Sequence, residues 1–259
     1  MMKLKNDDAL IALTKLEENS IDLTVTSPPY DNLRMYNGNN AQWSEQVWKD
    51  CIQELYRVTK KGGVVVLVVG DATIKGSETG TSFKQALWAM ECGFNLHDTM
   101  IYQKINYVPL THNRYEQSWE YVFIFTKGKP STFNPVKIPC KGAGKLEKYG
   151  LDRRQNHGAS HSMRLYSDTE YIATKDTKIA PNIFSYTLGK DKTGHPAPFP
   201  EQLAHDHILS WSNEGDTVLD CFMGSGTTGK MAKQLGRNFI GIELDSTYFE
   251  IAKQRIEHA

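Results

Sequence analysis

No apolar run in this chain is long enough to cross a membrane; the clearest one, residues 62–70, has the length of a single strand. Cysteine is scarce: Cys51, Cys92, Cys140 and Cys221 are scattered with no C-x-x-C pair. That pattern suggests a reducing cytoplasm rather than a disulfide framework or a zinc site, and no resident metal is expected. The first eight residues carry no apolar core of signal-peptide length. Internal repeats and low-complexity tracts are also missing. Net charge is zero, from 30 basic and 30 acidic residues, but the balance is uneven along the chain. Residues 127–194 hold ten lysines and three arginines against six acids, an excess of seven. A basic segment on a neutral protein is either a solvated insertion or the footprint of a polyanion contact.

What is present is a rhythm of strands and helices in a chain long enough for one domain with a small insertion. Residues 21–25 read as a short buried strand. Residues 44–60 read as an amphipathic helix with Val47, Cys51, Leu55 and Val58 on one face, stopped by Lys61-Gly62-Gly63. Residues 64–69 form an apolar run expected to be covered on both faces. Further helices are expected at 83–90, 199–211 and 248–257, and strands at 98–103 and 119–126. Such alternation predicts an α/β fold with a mostly parallel sheet and helices on both faces.

Two motifs interrupt the rhythm. Thr26-Ser27-Pro28-Pro29-Tyr30 follows the first strand, at the kind of strand end where open α/β sheets place their ligands. Adjacent prolines cannot continue a central strand, and they leave carbonyl acceptors at defined positions. Ser27 and the Pro28 carbonyl could accept the two hydrogens of an amino group, with Tyr30 stacked on the attached ring; the plain alternative is a turn with a packed tyrosine. The second motif runs Thr217-Val218-Leu219-Asp220-Cys221-Phe222-Met223-Gly224-Ser225-Gly226-Thr227-Thr228-Gly229. It reads strand, glycine loop, helix, and is followed by a strand ending in Glu243, placed to hold a ribose. The loop matches G-x-G-x-x-G and most of a P-loop, but Met231 stands where a P-loop needs Ser or Thr for magnesium. Asp220 before the glycines would oppose a pyrophosphate and favour a positively charged cofactor such as S-adenosylmethionine (SAM). Cys221 is expected to be a small buried residue.

The two motifs together resemble the SAM-dependent DNA amino-methyltransferases, which methylate N4 of cytosine or N6 of adenine. Residues 22–30 look like the catalytic motif, 220–228 like the cofactor loop, and His195-Pro196-Ala197-Pro198-Phe199-Pro200-Glu201 like the segment before that loop. Catalytic motif first and cofactor loop last is the order of the permuted group called β, and the likeness covers residues 8–248. It implies a doubly wound Rossmann-like sheet with one antiparallel strand, assigned to residues 120–125. It also implies a catalytic domain of residues 1–126 and 195–259, interrupted by a target-recognition insertion of residues 127–194. Asp220, Phe222, Gly224, Gly226, Thr227 and Thr228 would line the methionine moiety of SAM. Glu243 would hold the ribose and Asp8 the adenine amine, with His195 a weaker contact. Arg34, Arg153, Arg154 and Arg164 become DNA-contact candidates, for phosphates or guanine edges.

The substrate implied is double-stranded DNA with a flipped target base. The setting implied is a prokaryotic or phage cytoplasm, as part of a restriction-modification system with a cognate endonuclease or as an orphan methylase, with a homodimer as one possible state. Ser27, where other members carry Asp, favours cytosine N4 over adenine N6. An NAD-dependent oxidoreductase would explain the glycine loop but not Ser27 to Tyr30. A non-catalytic DNA-binding module would explain only the basic segment, and an RNA or small-molecule methyltransferase would need the same cofactor site.

Overall fold

The computed structural model describes residues 1–29, 43–107, 114–141, 146–148, 171–173, 175–187 and 199–259. The chain opens with β1 (Met2–Asn6), α1 (Ala9–Thr14), β2 (Ile21–Thr26), α2 (Glu45–Val58) and β3 (Thr59–Val69). A short hairpin, β4 (Thr73–Ile74) and β5 (Ser77–Glu78), precedes α3 (Thr81–Glu91), β6 (Asn95–Lys104) and β7 (Trp119–Thr126). Then come β8 (Lys137–Pro139), β9 (Leu146–Lys148), β10 (Tyr171–Ala173), β11 (Thr177–Ile179) and β12 (Ile183–Tyr186). The chain closes with α4 (Glu201–Trp211), β13 (Thr217–Asp220), α5 (Thr227–Gln234), β14 (Asn238–Glu243) and α6 (Ser246–Glu257).

Eight strands form one sheet in the order β1-β14-β13-β2-β3-β7-β6-β12. Every neighbouring pair is parallel except those made by β7, which is antiparallel to β3 and β6. This is the doubly wound sheet with a single antiparallel strand, and that strand is the one expected.

The period of two explains how one apolar run serves two cores. Val64, Val66 and Val68 join a cluster with Leu203 and Ile208 of α4, Met231 and Ala232 of α5, and Ala252 and Ile256 of α6. Val65, Leu67 and Val69 face the other way, against Ala12 and Leu13 of α1, Ile52 and Leu55 of α2, and Ala86 and Ala89 of α3. Each valine, leucine, isoleucine or methionine among them contributes about 1.5–3 kcal/mol by leaving water. Helices α1 to α3 therefore cover one face of the sheet and α4 to α6 the other.

Several details differ from the sequence reading. α2 ends at Val58 rather than Lys60. Thr59 turns to extended backbone and its hydroxyl donates to the Leu55 carbonyl (2.6 Å), so β3 starts at once. Gly62, at φ +84°, sits where the β2–β3 register shifts, from Ile21↔Thr59 to Leu23↔Val64. The glycines make an irregularity in the sheet rather than a helix stop. β1 was not anticipated, although its alternating Met2-Lys3-Leu4-Lys5 is what an edge strand shows.

The chain divides into two compact units, Met1–Asn134 with Pro181–Ala259, and Pro135–Ala180. Residues on both sides of the second unit, within the stretch 127–194 read as an insertion, serve the sheet. β12 pairs with β6. Lys127 donates to the carbonyls of Tyr56 (2.8 Å) and Thr59 (2.9 Å), closing the end of α2, so this lysine belongs to the fold and not to a polyanion surface. The second unit holds two small antiparallel pairs, β8 with β11 and β9 with β10.

Candidate functional site

The strand order reverses between β13 and β2. From β13 the chain crosses by α5 to β14 on one side, and from β2 it crosses by α2 to β3 on the other, over the opposite face of the sheet. Crevices at such switch points, outside the carboxyl ends of the strands, are where open α/β sheets bind ligands. Both sequence motifs are there. Ser27, Pro28 and Pro29 leave the end of β2; Pro28 is buried and its two neighbours are half-buried. Asp220 closes β13, paired in register alongside β2.

A hydrogen bond joins the two motifs: the Thr26 hydroxyl donates to Asp220 Oδ1 at 2.7 Å across 194 residues of sequence. The same oxygen accepts the Phe222 N–H at 3.2 Å. Burial pushes the Asp220 carboxyl up to about 6, against the smaller opposing effects of Thr26, Thr228 and the Phe222 N–H. The Thr228 hydroxyl, wholly buried, lies 3.3 Å from the Val25 carbonyl, a further tie between the loop's helix and β2.

The loop itself is tightly held. Gly224 N–H donates to Glu243 Oε2 (2.7 Å), and Glu243 Oε1 accepts from Asp245 N–H (2.8 Å). Burial raises the Glu243 carboxyl, the two backbone N–H bonds opposing it. Gly226 caps α5 in the left-handed conformation, φ +82°. A Cβ there would lie 2.9 Å from Ala252 Cβ and 3.0 Å from its Cα. Gly226→Ala is therefore expected to cost about 2–4 kcal/mol, from backbone strain plus the clash with α6. Denaturant melts of the ligand-free protein check it; a loss under about 1 kcal/mol would contradict this packing. Thr227 is 5% exposed and begins α5, whose N-cap, Gly226, has no side chain to bond the first N–H groups. Phe222 is half-buried with its ring edge-to-face against Trp43 at 5.3 Å.

Two further acceptors continue the row. β1 pairs with β14 so that Asn6 lies opposite Glu243, and Asp7 N–H donates to the Glu243 carbonyl (3.1 Å). Asp8 follows, and its Oδ1 caps α1 by accepting from Ile11 N–H (3.0 Å). Along the carboxyl edge of β1, β14, β13 and β2 the chain thus presents Asp8, Glu243, Asp220 and Ser27 in that order. Four adjacent strands span about 14 Å.

That donor set can be tested against cofactor classes. Among the described residues, the bonds to Asp220 and Glu243 come from hydroxyl and backbone N–H groups, not from cations. Three carboxylates in a row would repel a pyrophosphate and suit a ligand carrying an amine, ribose hydroxyls and a positive charge. The residues fit SAM.

Of the remaining sequence candidates, Tyr30, Arg34, Arg153, Arg154, Arg164 and His195 lie outside the described residues. Cys221 is 1% exposed, its thiol raised well above the ordinary value by burial, as expected of a packing residue. Sequence reasoning missed Thr26 as the link between the motifs, Trp43 as the partner of Phe222, and the bonds Arg255 makes to Ser225. Only Thr26 left a signal, as the polar residue ending the strand beside Ser27.

Comparison with known proteins agrees with the geometry. A family model described as DNA methylase matches residues 21–254. The orphan methyltransferase M.BamHII of Bacillus amyloliquefaciens is 49% identical over 252 residues, covering 92% of this chain and 89% of that protein. The structure of an M1.HpyAVI–SAM complex superposes with a TM-score of 0.64 at 25% identity, covering 99% of each chain. The PvuII cytosine-N4-specific DNA methyltransferase shares the fold, with a TM-score of 0.72 at 20% identity over 98% of this chain and 86% of that one.

Proposed function

The chain belongs to the DNA methylase family of N6 and N4 amino-methyltransferases, and from that premise we propose that it transfers a methyl group from SAM to N4 of cytosine in double-stranded DNA. The observation that carries the proposal is the Thr26–Asp220 hydrogen bond, which ties the strand end leading into Ser27-Pro28-Pro29 to the acid that opens the glycine loop.

In this reading Asp8 accepts from the adenine amine, Glu243 holds the ribose, and Asp220 with the loop from Phe222 to Thr228 surrounds the methionine end. When bound, SAM supplies an electrophilic methyl group on its sulfonium. The target base leaves the duplex at a cost of a few kcal/mol, and Tyr30 stacking returns about 1–3 kcal/mol. Ser27 Oγ and the Pro28 carbonyl accept the two amino hydrogens. That draws the nitrogen towards a tetrahedral geometry and turns its lone pair to the methyl carbon. Orientation and stabilisation of the positive charge growing on nitrogen do the work; no covalent step on Ser27 is needed.

Cytosine is preferred to adenine because Ser rather than Asp precedes the proline pair, as in family members that act on cytosine. Within the stretch 127–194, the compact unit Pro135–Ala180, with Arg153, Arg154 and Arg164, is proposed as the target-recognition region, and Arg34 as a DNA contact. The orphan status in the name of the 49%-identical relative supports a modification enzyme working without a dedicated nuclease. Incubating the protein with methyl-labelled SAM and DNA, then analysing digested nucleosides by mass spectrometry, tests the reading. Labelled N4-methylcytosine is expected. Labelled N6-methyladenine in its place overturns the choice of base, and no labelled nucleoside overturns the function.

A further inference from the structure

We infer that Arg255 is a positioning residue for the cofactor loop, a guanidinium brace that sets the loop against the start of α4. The inference rests on the reading that this loop holds SAM. Arg255 Nη1 donates to the Ser225 carbonyl (2.6 Å) and to its hydroxyl (2.8 Å). Nη2 donates to Oε1 of Glu201, the first residue of α4 (3.1 Å). The same carboxylate oxygen accepts from Lys230 of α5 at 2.6 Å. One fork thus ties the loop between β13 and α5 to the helix that precedes β13.

Three features set this arrangement apart from an ordinary surface ion pair, which contributes little. Ser225 is 2% exposed, so the guanidinium reaches a buried polar group that needs partners. Ser225 also stands between Gly224 and Gly226, both at positive φ, where the loop's backbone has the most freedom to lose. Finally, Ala252 lies one turn before Arg255 on the same face of α6, close enough to Gly226 that no Cβ fits between them. α6 therefore holds the loop twice, by contact at Gly226 and by hydrogen bonds at Ser225. A planar fork can serve Ser225 and Glu201 at once, which a single ammonium does less well. A loop ordered in advance spares SAM that ordering cost, so the brace acts on affinity and not on the chemical step.

The test is isothermal titration of the full-length protein with SAM, alongside steady-state DNA methylation. Arg255→Ala is expected to raise the SAM Kd at least about tenfold, with KM for SAM rising in step and kcat changing less than about threefold. Arg255→Lys should fall between Arg255→Ala and the native chain. Glu201→Gln, which leaves the Ser225 bonds but weakens the tie to α4, should raise Kd by about threefold. A Kd for Arg255→Ala within about twofold of the native value overturns the brace, as does a fall in kcat at unchanged Kd. Should Arg255→Ala fail to fold, Arg255→Lys and Glu201→Gln decide: elevated Kd values in both support the brace, and unchanged values overturn it. Native protein that takes up no SAM overturns the cofactor reading and the brace with it, whereas native binding with an unaffected Arg255→Ala overturns the brace alone.

Discussion

Asp220→Asn is expected to weaken SAM binding about a hundredfold or more while making the ligand-free protein more stable at neutral pH. The two effects share one cause. Asp220 is 1% exposed and hydrogen-bonded through Oδ1 to Thr26 and the Phe222 N–H, and burial, the largest influence, pushes its carboxyl up to about 6 from 3.8. Keeping it ionised above that pH costs about 3 kcal/mol. The sign follows from proton counts. Between pH 4 and 6 the folded state holds a proton that the unfolded state has released. Stability from this group is therefore full below about 4, falls as pH rises through the window, and is lost above about 6. Asparagine keeps an oxygen for Thr26 and Phe222 and carries no charge, so it escapes the penalty. Denaturant melts should show the variant ahead by up to about 3 kcal/mol at pH 7 and level with the native chain at pH 4.

The cost to function is the reverse. In the proposed site the Asp220 carboxylate would face the positive charge of SAM, and removing one partner of such a buried pair costs several kcal/mol. Native affinity should itself fall about tenfold per pH unit below 6 as the carboxylate takes up its proton. Titration calorimetry at pH 5, 6 and 7 checks both arms. An Asn variant that binds SAM like the native chain, or a native affinity flat across that range, would remove Asp220 from the cofactor site.

Ser27→Ala is expected to cut the rate of methyl transfer about 10²–10³-fold, the usual loss when one preorganised polar contact to the transition state is removed. SAM Kd should stay within about twofold, because the role proposed for the serine is toward the base and not the cofactor. Ser27→Asp, which returns an acceptor at the same place, should recover more activity than Ser27→Ala. Single-turnover methylation with DNA binding measured in parallel separates the chemical step from recognition. A Ser27→Ala enzyme transferring methyl at near-native rate would leave the amino group without its proposed acceptor. Reduced DNA affinity with an unchanged chemical rate would assign the serine to recognition alone.

Much of the architecture was legible because it depends on local signals. The run at residues 64–69 is β-branched and continuous, and β3 lies buried on both faces. The helix signal over residues 44–60 came out as α2, with its end shifted because Thr59 prefers extended backbone and ties off the Leu55 carbonyl. The glycines of residues 224–229 marked a strand–loop–helix unit, and the structure has it. β12 was harder to see: Ile183–Tyr186 is four residues long inside a basic, irregular stretch, and what makes it a strand is the exposed edge of β6 rather than a pattern of its own.

By itself the sequence determined the chemistry available at each end of the chain: the proline-rigidified turn with its serine, the acid before the glycine loop and the acid ending the next strand. Those depend on residue type and short spacing, which the backbone reads locally. Only the tertiary structure decided which groups meet. Thr26 reaches Asp220 across 194 residues, Arg255 reaches Ser225 across 30 and Glu201 across 54, and each contact exists because β2 and β13 are neighbours and α6 packs on the loop. Strand order and helix docking arise from burying two faces of one sheet at once, a condition on the whole chain that no window of sequence contains.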